Sequence, residues 1–292
     1  ALNRASLDRH DAKAKETGAL IVHSCGYDSI PSDLGYLMAT DAYQERFRVQ
    51  PERVRLLTRG FEKGGISGGT IYTELALLGY ADELMTQEAK DLVAATMKKG
   101  SYPLNDVCGP ETRDTTSYPA YDDNRKVWTS PFIMAAANAP VVRRSMELLG
   151  RDVLPYEENA GHARAVAALG EYVLLGAFGG LVLFPPTRWL LKQYVLPTPG
   201  HGPAREARDC GSFASEVYAV GPAGIAVARV ESGDAGDAGY KATARMSTEA
   251  ALTLALEREK CGAAGVSTPA AAMGRALVDR LNASGMKLYV EE

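Results

Sequence analysis

Residues 19–35 read ALIVHSCGYDSIPSDLG, and this stretch decides the fold class. Ala19 to Cys25 is a short apolar run of strand type, preceded by the charged, helix-prone segment Ser6 to Thr17 and the helix stop Gly18. Gly26-Tyr27-Asp28-Ser29 then turns the chain. Ile30-Pro31-Ser32-Asp33 opens a helix, with Ser29 as its cap, Pro31 in the first turn and Asp33 at the positive end of the dipole. A loop that leaves a strand's carboxyl end and enters a helix N-terminus is where α/β folds bind ligands. The expectation is an α/β chain whose first candidate site is the loop Cys25 to Ser29.

Arg53 to Phe61 (RVRLLTRGF) reads as a half-buried strand presenting Arg53, Arg55 and Arg59 on one side, most simply a solvated face. The cluster Gly64 to Thr70 (GGISGGT) precedes a helical pattern, Ile71 to Leu78. Free N–H groups at such a start suit an anion or a substrate carbonyl. The cluster lacks the Gly-Lys-Ser/Thr ending of a nucleotide-triphosphate loop. Tyr102 to Asn124 reads as a long loop, Val127 to Ala136 as a return to the sheet, and Asn138 with Pro140 as the start of a helix ended by Gly150. Leu196 to Pro203 (LPTPGHGP) is a helix-incompatible link. Beyond it, Ser212 to Val220 and Ile225 to Val230 form a meander that continues through the turn-rich 231–239 into a strand, Tyr240 to Arg245. Ser247 or Thr248 caps a helix to about Lys260, and Thr268-Pro269 starts a last helix to about Leu281 with Ala272, Ala276 and Leu277 on one face.

The composition narrows the function. A 292-residue chain with 46% hydrophobic and 23% charged residues is a packed globular protein of about two domains. The net charge of -4 argues against nucleic acid as a partner. Cys25, Cys108, Cys210 and Cys261 form no C-x-x-C pair, and His10, His23, His162 and His201 are scattered, so no metal site is expected and a reducing, intracellular compartment is the default. The chain opens without Met and without a signal or transit pattern, as a fragment or processed form would.

Ala165 to Phe184 (AVAALGEYVLLGAFGGLVLF) is apolar except for Glu171. Twenty such residues equal the length of a bilayer span, but a mid-span carboxylate costs about 2.5–3.5 kcal/mol on insertion scales. The following Arg188, Trp189, Lys192 and Tyr194 have the character of an interfacial segment. Three readings stand: a buried core helix, a segment facing a membrane or protein partner through Ala165–Leu196, and a true span.

Cys25-Gly26-Tyr27-Asp28-Ser29-Ile30-Pro31-Ser32-Asp33-Leu34-Gly35 closely resembles the signature C-G-F-D-S-I-P-S-D-L-G of the saccharopine-dehydrogenase-like oxidoreductases, a family that includes trans-acting enoyl reductases. Further pieces follow in the family's order: Ser67-Gly68-Gly69-Thr70, Ala136 to Ser145 with Pro140-Val141-Val142-Arg143-Arg144-Ser145, Pro199 to Pro203, Gly239-Tyr240 before Ala242-Thr243-Ala244, and Gly265 to Ala270. The resemblance implies a C-terminal part of a Rossmann-type domain (1–45), a substrate-type α/β domain with a largely antiparallel sheet (46–245, holding the apolar segment 165–196), and helices returning to the nucleotide domain (246–292). It departs in one respect. No strand–GxGxxG–helix unit occurs, and Gly233-x-x-Gly236-x-x-Gly239 reads as a turn. Either the natural protein is longer, or the nucleotide half was lost.

By resemblance, Cys25, Gly26, Tyr27, Asp28 and Ser29 wall the nicotinamide end of NADP or NAD, provided the N-terminal half is present. Backbone N–H groups and the Ser29 hydroxyl then orient an amide or carbonyl. Tyr27 and Asp28 are the candidate catalytic groups, and Ser67, Gly68, Gly69 and Thr70 the candidate substrate contacts. Against this, the same residues serve as turn and cap. Two functions follow. One is an NAD(P)-dependent oxidoreductase acting on a carbonyl, imine or enoyl group of a lipid or other substrate. The other is a non-catalytic accessory subunit of a membrane-associated complex, with a membrane, mitochondrion or lipid droplet as its place and oligomerisation compatible with either.

Overall fold

The computed structural model describes residues 2–62, 64–77, 86, 87, 91 and 114–292. Leu78, Cys108 and the first part of the expected loop 102–124 lie outside the described residues. Helix α1 (Leu2–Thr17) leads into strand β1 (Leu20–Val22), and helix α2 (Ile30–Phe47) follows the signature turn. Among the described residues β1 pairs with one strand, the parallel β8 (Gly265–Ser267), in register Leu20 with Gly265 and Val22 with Ser267. These two strands form a ribbon whose carboxyl ends point at the signature loop.

The larger sheet has seven strands in the order β3 (Ala120–Asp122), β4 (Val127–Pro131), β5 (Tyr156–His162), β2 (Arg53–Glu62), β6 (Ser212–Gly221), β7 (Gly224–Glu231) and β9 (Lys287–Val290). Within it β2 and β5 pair in parallel, and every other neighbour among the described residues is antiparallel. The expected α/β class with a largely antiparallel sheet is the architecture found.

Thirteen of the 18 residues of α2 are buried, so the helix that carries the signature is the centre of the core and not a surface element. It lies on β6 and β7 through Leu34, Met38, Val217 and Val230, with Met146 and Leu277 from α4 (Ala135–Leu148) and α9 (Pro269–Ala283) around it. Burying each such side chain contributes about 1.5–3 kcal/mol. Gly35 permits the approach, since a Cβ there would overlap Val217 Cγ2.

Several local expectations are corrected. Ser29 makes no side-chain cap on α2. The short helix α7 (Arg205–Asp209) follows the proline-rich link and precedes the meander. The strand expected at Tyr240 to Arg245 is a π-helical turn, Ala238–Ala242, running straight into helix α8 (Thr243–Leu256). That helix therefore starts before Ser247 and Thr248, and Asp237 caps the turn by accepting from Tyr240 N and Lys241 N. Alternating residues suggest a strand, but a satisfied cap and the helix beyond it outweigh a six-residue pattern. Arg55 and Arg59 are not simply solvated. Arg55 reaches Asp122 at 2.9 Å and Glu157 at 3.3 Å, while Arg59, Arg125 and Arg229 converge on the fully buried Glu216. The apolar segment forms helix α5 (Ala165–Leu183), helix α6 (Pro185–Leu190) and a π-helical turn, Leu191–Val195. It is exposed along its length, which removes the reading of a buried core helix.

Candidate active site

Two loops and one helix start meet. The signature turn is closed by its own backbone, with Gly26 O accepting from Ile30 N at 2.9 Å and Ser29 N at 3.3 Å. Tyr27 N donates to Thr243 Oγ1 at 3.0 Å, and Ser247 Oγ donates to Cys25 O at 3.1 Å. A Cβ on Gly26 would stand 2.8 Å from the Thr243 methyl, so a glycine is needed where the turn abuts α8. These N–H groups are spent inside the protein. Of the turn's N–H groups, Tyr27 N, Ser29 N and Ile30 N are thus engaged by the protein itself.

The second loop approaches from the other side. Ser67 Oγ accepts from Thr70 N at 3.2 Å, an N-cap on helix α3 (Gly68–Leu77). Tyr240 Oη accepts from Ser67 N and lies 3.3 Å from Thr70 Oγ1. Gly68 N donates to His201 O at 2.9 Å, and a Cβ on Gly68 would overlap the Thr198 carbonyl, so the proline-rich link presses directly on α3. Tyr240, Thr243 and Ser247 recur at intervals of three and four, which places them on one face. That face holds both candidate loops. The spacing of Gly239-Tyr240 from Ala242-Thr243 carries this signal, but a strand would point Tyr240 and Thr243 to opposite sides.

Behind the signature turn lie two fully buried carboxyls. Ser29 Oγ donates to Asn138 Oδ1 at 3.4 Å; Asn138 Nδ2 and Tyr156 Oη donate to Glu158 at 2.9 and 2.7 Å. Burial pushes Glu158 up to about 7 against the pull of those donors and of Ser32. Asp33 accepts from Ser145 Oγ and, at 2.7 Å, from Ala270 N. It thus caps α9 instead of serving its own helix. Burial pushes it up to about 7 as well, the two hydrogen bonds opposing. Three of the collinear pieces, 25–35, 136–145 and 265–270, are pinned together at Asp33, Ser145 and Thr268.

The chemistry of the predicted residues follows from this burial. The Cys25 thiol is pushed up to about 11 by desolvation and by Asp33, so it is no nucleophile at neutral pH. Tyr27 packs edge-on against Phe213 with centroids 4.8 Å apart, and burial, Glu158 and Asp28 hold its phenol protonated far above the usual range. Asp28 is exposed at the rim, its carboxyl raised by partial desolvation. Tyr240 is half-buried between the two loops and is not among the site residues that the sequence marks.

No protein-family model matches the chain. A protein of Mycobacterium tuberculosis assigned as a trans-acting enoyl reductase is 36% identical over 304 aligned residues, covering 98% of this chain and 70% of its own length. Trans-acting enoyl reductases of Mycobacterium bovis and Mycobacterium leprae are 31% and 32% identical, each over 97% of this chain and 70% of their own. At that identity and coverage, the chain belongs to the trans-acting enoyl reductase family.

Proposed function

We propose that this chain is the substrate-handling part of an NAD(P)H-dependent oxidoreductase of the saccharopine-dehydrogenase-like type, reducing the carbon–carbon double bond of an enoyl group. One observation carries the reading in a chain with these relatives: the signature loop at the carboxyl end of the parallel ribbon meets the substrate-side loop Ser67–Thr70 on the single face Tyr240, Thr243 and Ser247. The residues present fit only one end of a dinucleotide. At the ribbon's carboxyl end, Ser24 takes a left-handed φ of 61° and His23 Nε2 is buried without a hydrogen-bond partner. Arg144, Ser267 and Thr268 share that narrow cleft. A pyrophosphate clamp of the GxGxxG kind is not among the 292 residues and has to come from elsewhere.

A nicotinamide bound at that end would supply the hydride that reduction of the double bond requires. Cys25 to Asp28 wall that end, and Tyr27, held neutral, packs as wall and not as acid. Tyr240 Oη holds the proton that goes to the α-carbon, and it is reprotonated from solvent. Ser67 N and Thr70 Oγ1 fix the direction of that phenol.

The test is titration of the full natural protein with NADPH and NADH, followed by nicotinamide fluorescence, then turnover on an enoyl thioester. Saturable binding is expected, with Tyr240→Phe lowering kcat by about 10²–10⁴ at unchanged cofactor affinity. Absence of saturable binding by either nucleotide overturns the reading. The exposed apolar helices favour a second one, an accessory subunit at a membrane, and the same titration separates the two because an accessory subunit binds no cofactor.

A further inference from the structure

We propose that the helices of Ala165–Leu196 dock flat on the surface of an anionic lipid bilayer without crossing it. α5 touches the body along one narrow stripe: Ala168, Glu171, Leu175, Gly179 and Val182. The rest of its circumference is apolar and open, with Val166, Leu169, Val173, Leu174, Phe178 and Leu181 all exposed, Leu174 at 68%. A contiguous apolar face of this kind on a soluble body marks an interaction site.

The way the helix is held decides between lying and spanning. Near its start, Glu171 Oε2 accepts from Ser130 Oγ at 2.8 Å and lies 2.6 Å from His162 Nε2, on β4 and β5. Near its end, Val182 packs with Leu75, Ile71, Tyr72, Leu191 and Leu196, so α3 and the following turn grip it there. A span needs its two ends on opposite sides of a hydrocarbon core about 30 Å thick. Here both ends rest on the same folded body. The one acid of the segment is turned toward a hydroxyl and an imidazole of the body, away from the open apolar face.

The chemistry of the rim selects lipid over a protein partner. Trp189 and Tyr194 are 59% and 74% exposed and pack edge-on with centroids 6.2 Å apart, and Tyr172 is exposed in the first half of α5. Arg188, whose guanidinium also donates to Val182 O at 2.9 Å, and Lys192, over the Tyr72 ring, give the segment two cations against the inward Glu171, with Arg164 just before its start, in a chain of net charge -4. Aromatic and basic residues flanking an apolar face are the composition of a helix lying in the headgroup layer, and the basic excess complements an anionic leaflet. A protein interface of this size carries a polar rim with roughly one hydrogen bond per 100–200 Å². Apart from the Tyr172 phenol, the outward side of α5 offers hydrocarbon.

This docking stands apart from the enoyl-reductase reading, because it is measured without turnover. The full chain is sedimented with phosphatidylcholine vesicles containing or lacking phosphatidylglycerol. Binding is expected to be tighter on the anionic vesicles, to weaken with salt, and to shift Trp189 emission to the blue, a shift lost in Trp189→Phe. The double substitution Leu174→Asp, Phe178→Asp is expected to weaken binding about a hundredfold or more with an unchanged melting temperature, since both side chains face solvent. Three results overturn the proposal: no co-sedimentation with either vesicle, wild-type binding by the double variant, or light scattering that shows a dimer which the double variant splits.

Discussion

Replacing Asp33 by Asn tests whether the carboxyl at the meeting point of α2, α4 and α9 is neutral in the folded protein at mildly acidic pH. The ordinary value is 3.8 and the folded value about 7, roughly three units apart. The sign follows from proton counting. Between those limits the folded state keeps a proton that the unfolded state has lost, so this group makes stability fall as pH rises from about 4 to about 7, with no further change above. At ~1.4 kcal/mol per unit the full swing is about 4 kcal/mol, and the two units between pH 5 and pH 7 amount to about 3 kcal/mol. An asparagine side chain resembles the protonated acid: its carbonyl still accepts from Ala270 N, while Ser145 Oγ can turn to accept from the amide. Urea unfolding of both proteins at pH 5 and pH 8 gives the comparison. The stability difference, Asp33→Asn variant minus wild type, is expected to move by about 3 kcal/mol in the variant's favour from pH 5 to pH 8. Parallel pH curves refute the reasoning, because they mean that Asp33 is charged in both states or neutral in both.

Gly26→Ala is expected to cost about 1–3 kcal/mol through the 2.8 Å approach to Thr243 Cγ2, and adding Thr243→Ser, which removes the methyl but keeps the hydroxyl bonded to Tyr27 N, recovers part of it; additive effects in the thermal-melt cycle contradict the contact. Gly68→Ala meets backbone, which cannot give way as a side chain can, so it should exceed the Gly26 effect and expose the 197–203 link to limited proteolysis; equal cleavage rates argue otherwise. Iodoacetamide at pH 8, read by peptide mass mapping, should label exposed Cys210 at least about tenfold faster than Cys25, whose thiol is pushed up to about 11; comparable rates would mean the signature loop opens in solution.

The elements visible in the sequence are those with strong local grammar. The strand before Gly26, the Pro31 helix start, the meander 212–231 and the Pro269 helix each combine a periodic apolar pattern with a turn or cap residue, and each is present. The segment 238–245 has two competing local signals. Its alternation of small and large side chains suits a strand, but Asp237 supplies both oxygens to backbone N–H groups and commits the chain to a helical turn. Pattern alone does not reveal whether an Asp beside a glycine will cap forward or close a turn. Cap residues mislead in the same way at Ser29 and Asp33. Their side chains reach α4 and the start of α9 across the core, at sequence separations of 109 and 237 residues.

The candidate site is legible as a set of segments and illegible as chemistry. The pieces that carry the resemblance come together through named hydrogen bonds, the proline-rich link included through His201 O, so order along the chain is a sound guide to assembly. Their roles are not legible, because role depends on burial. Tyr27 and Tyr240 are the same side chain in neighbouring positions of one site; Tyr27 packs edge-on against Phe213 with its phenol held protonated by desolvation and by the charges of Glu158 and Asp28, while Tyr240 spans the gap between two loops. Glu158 is invisible for a related reason. Tyr156 stands two residues before it on the same strand face, and only the fold brings Asn138 and Ser32 to it. A family signature of this kind therefore includes residues that hold the loop and the core in place, Gly26 against Thr243 and Asp33 against Ser145 and Ala270.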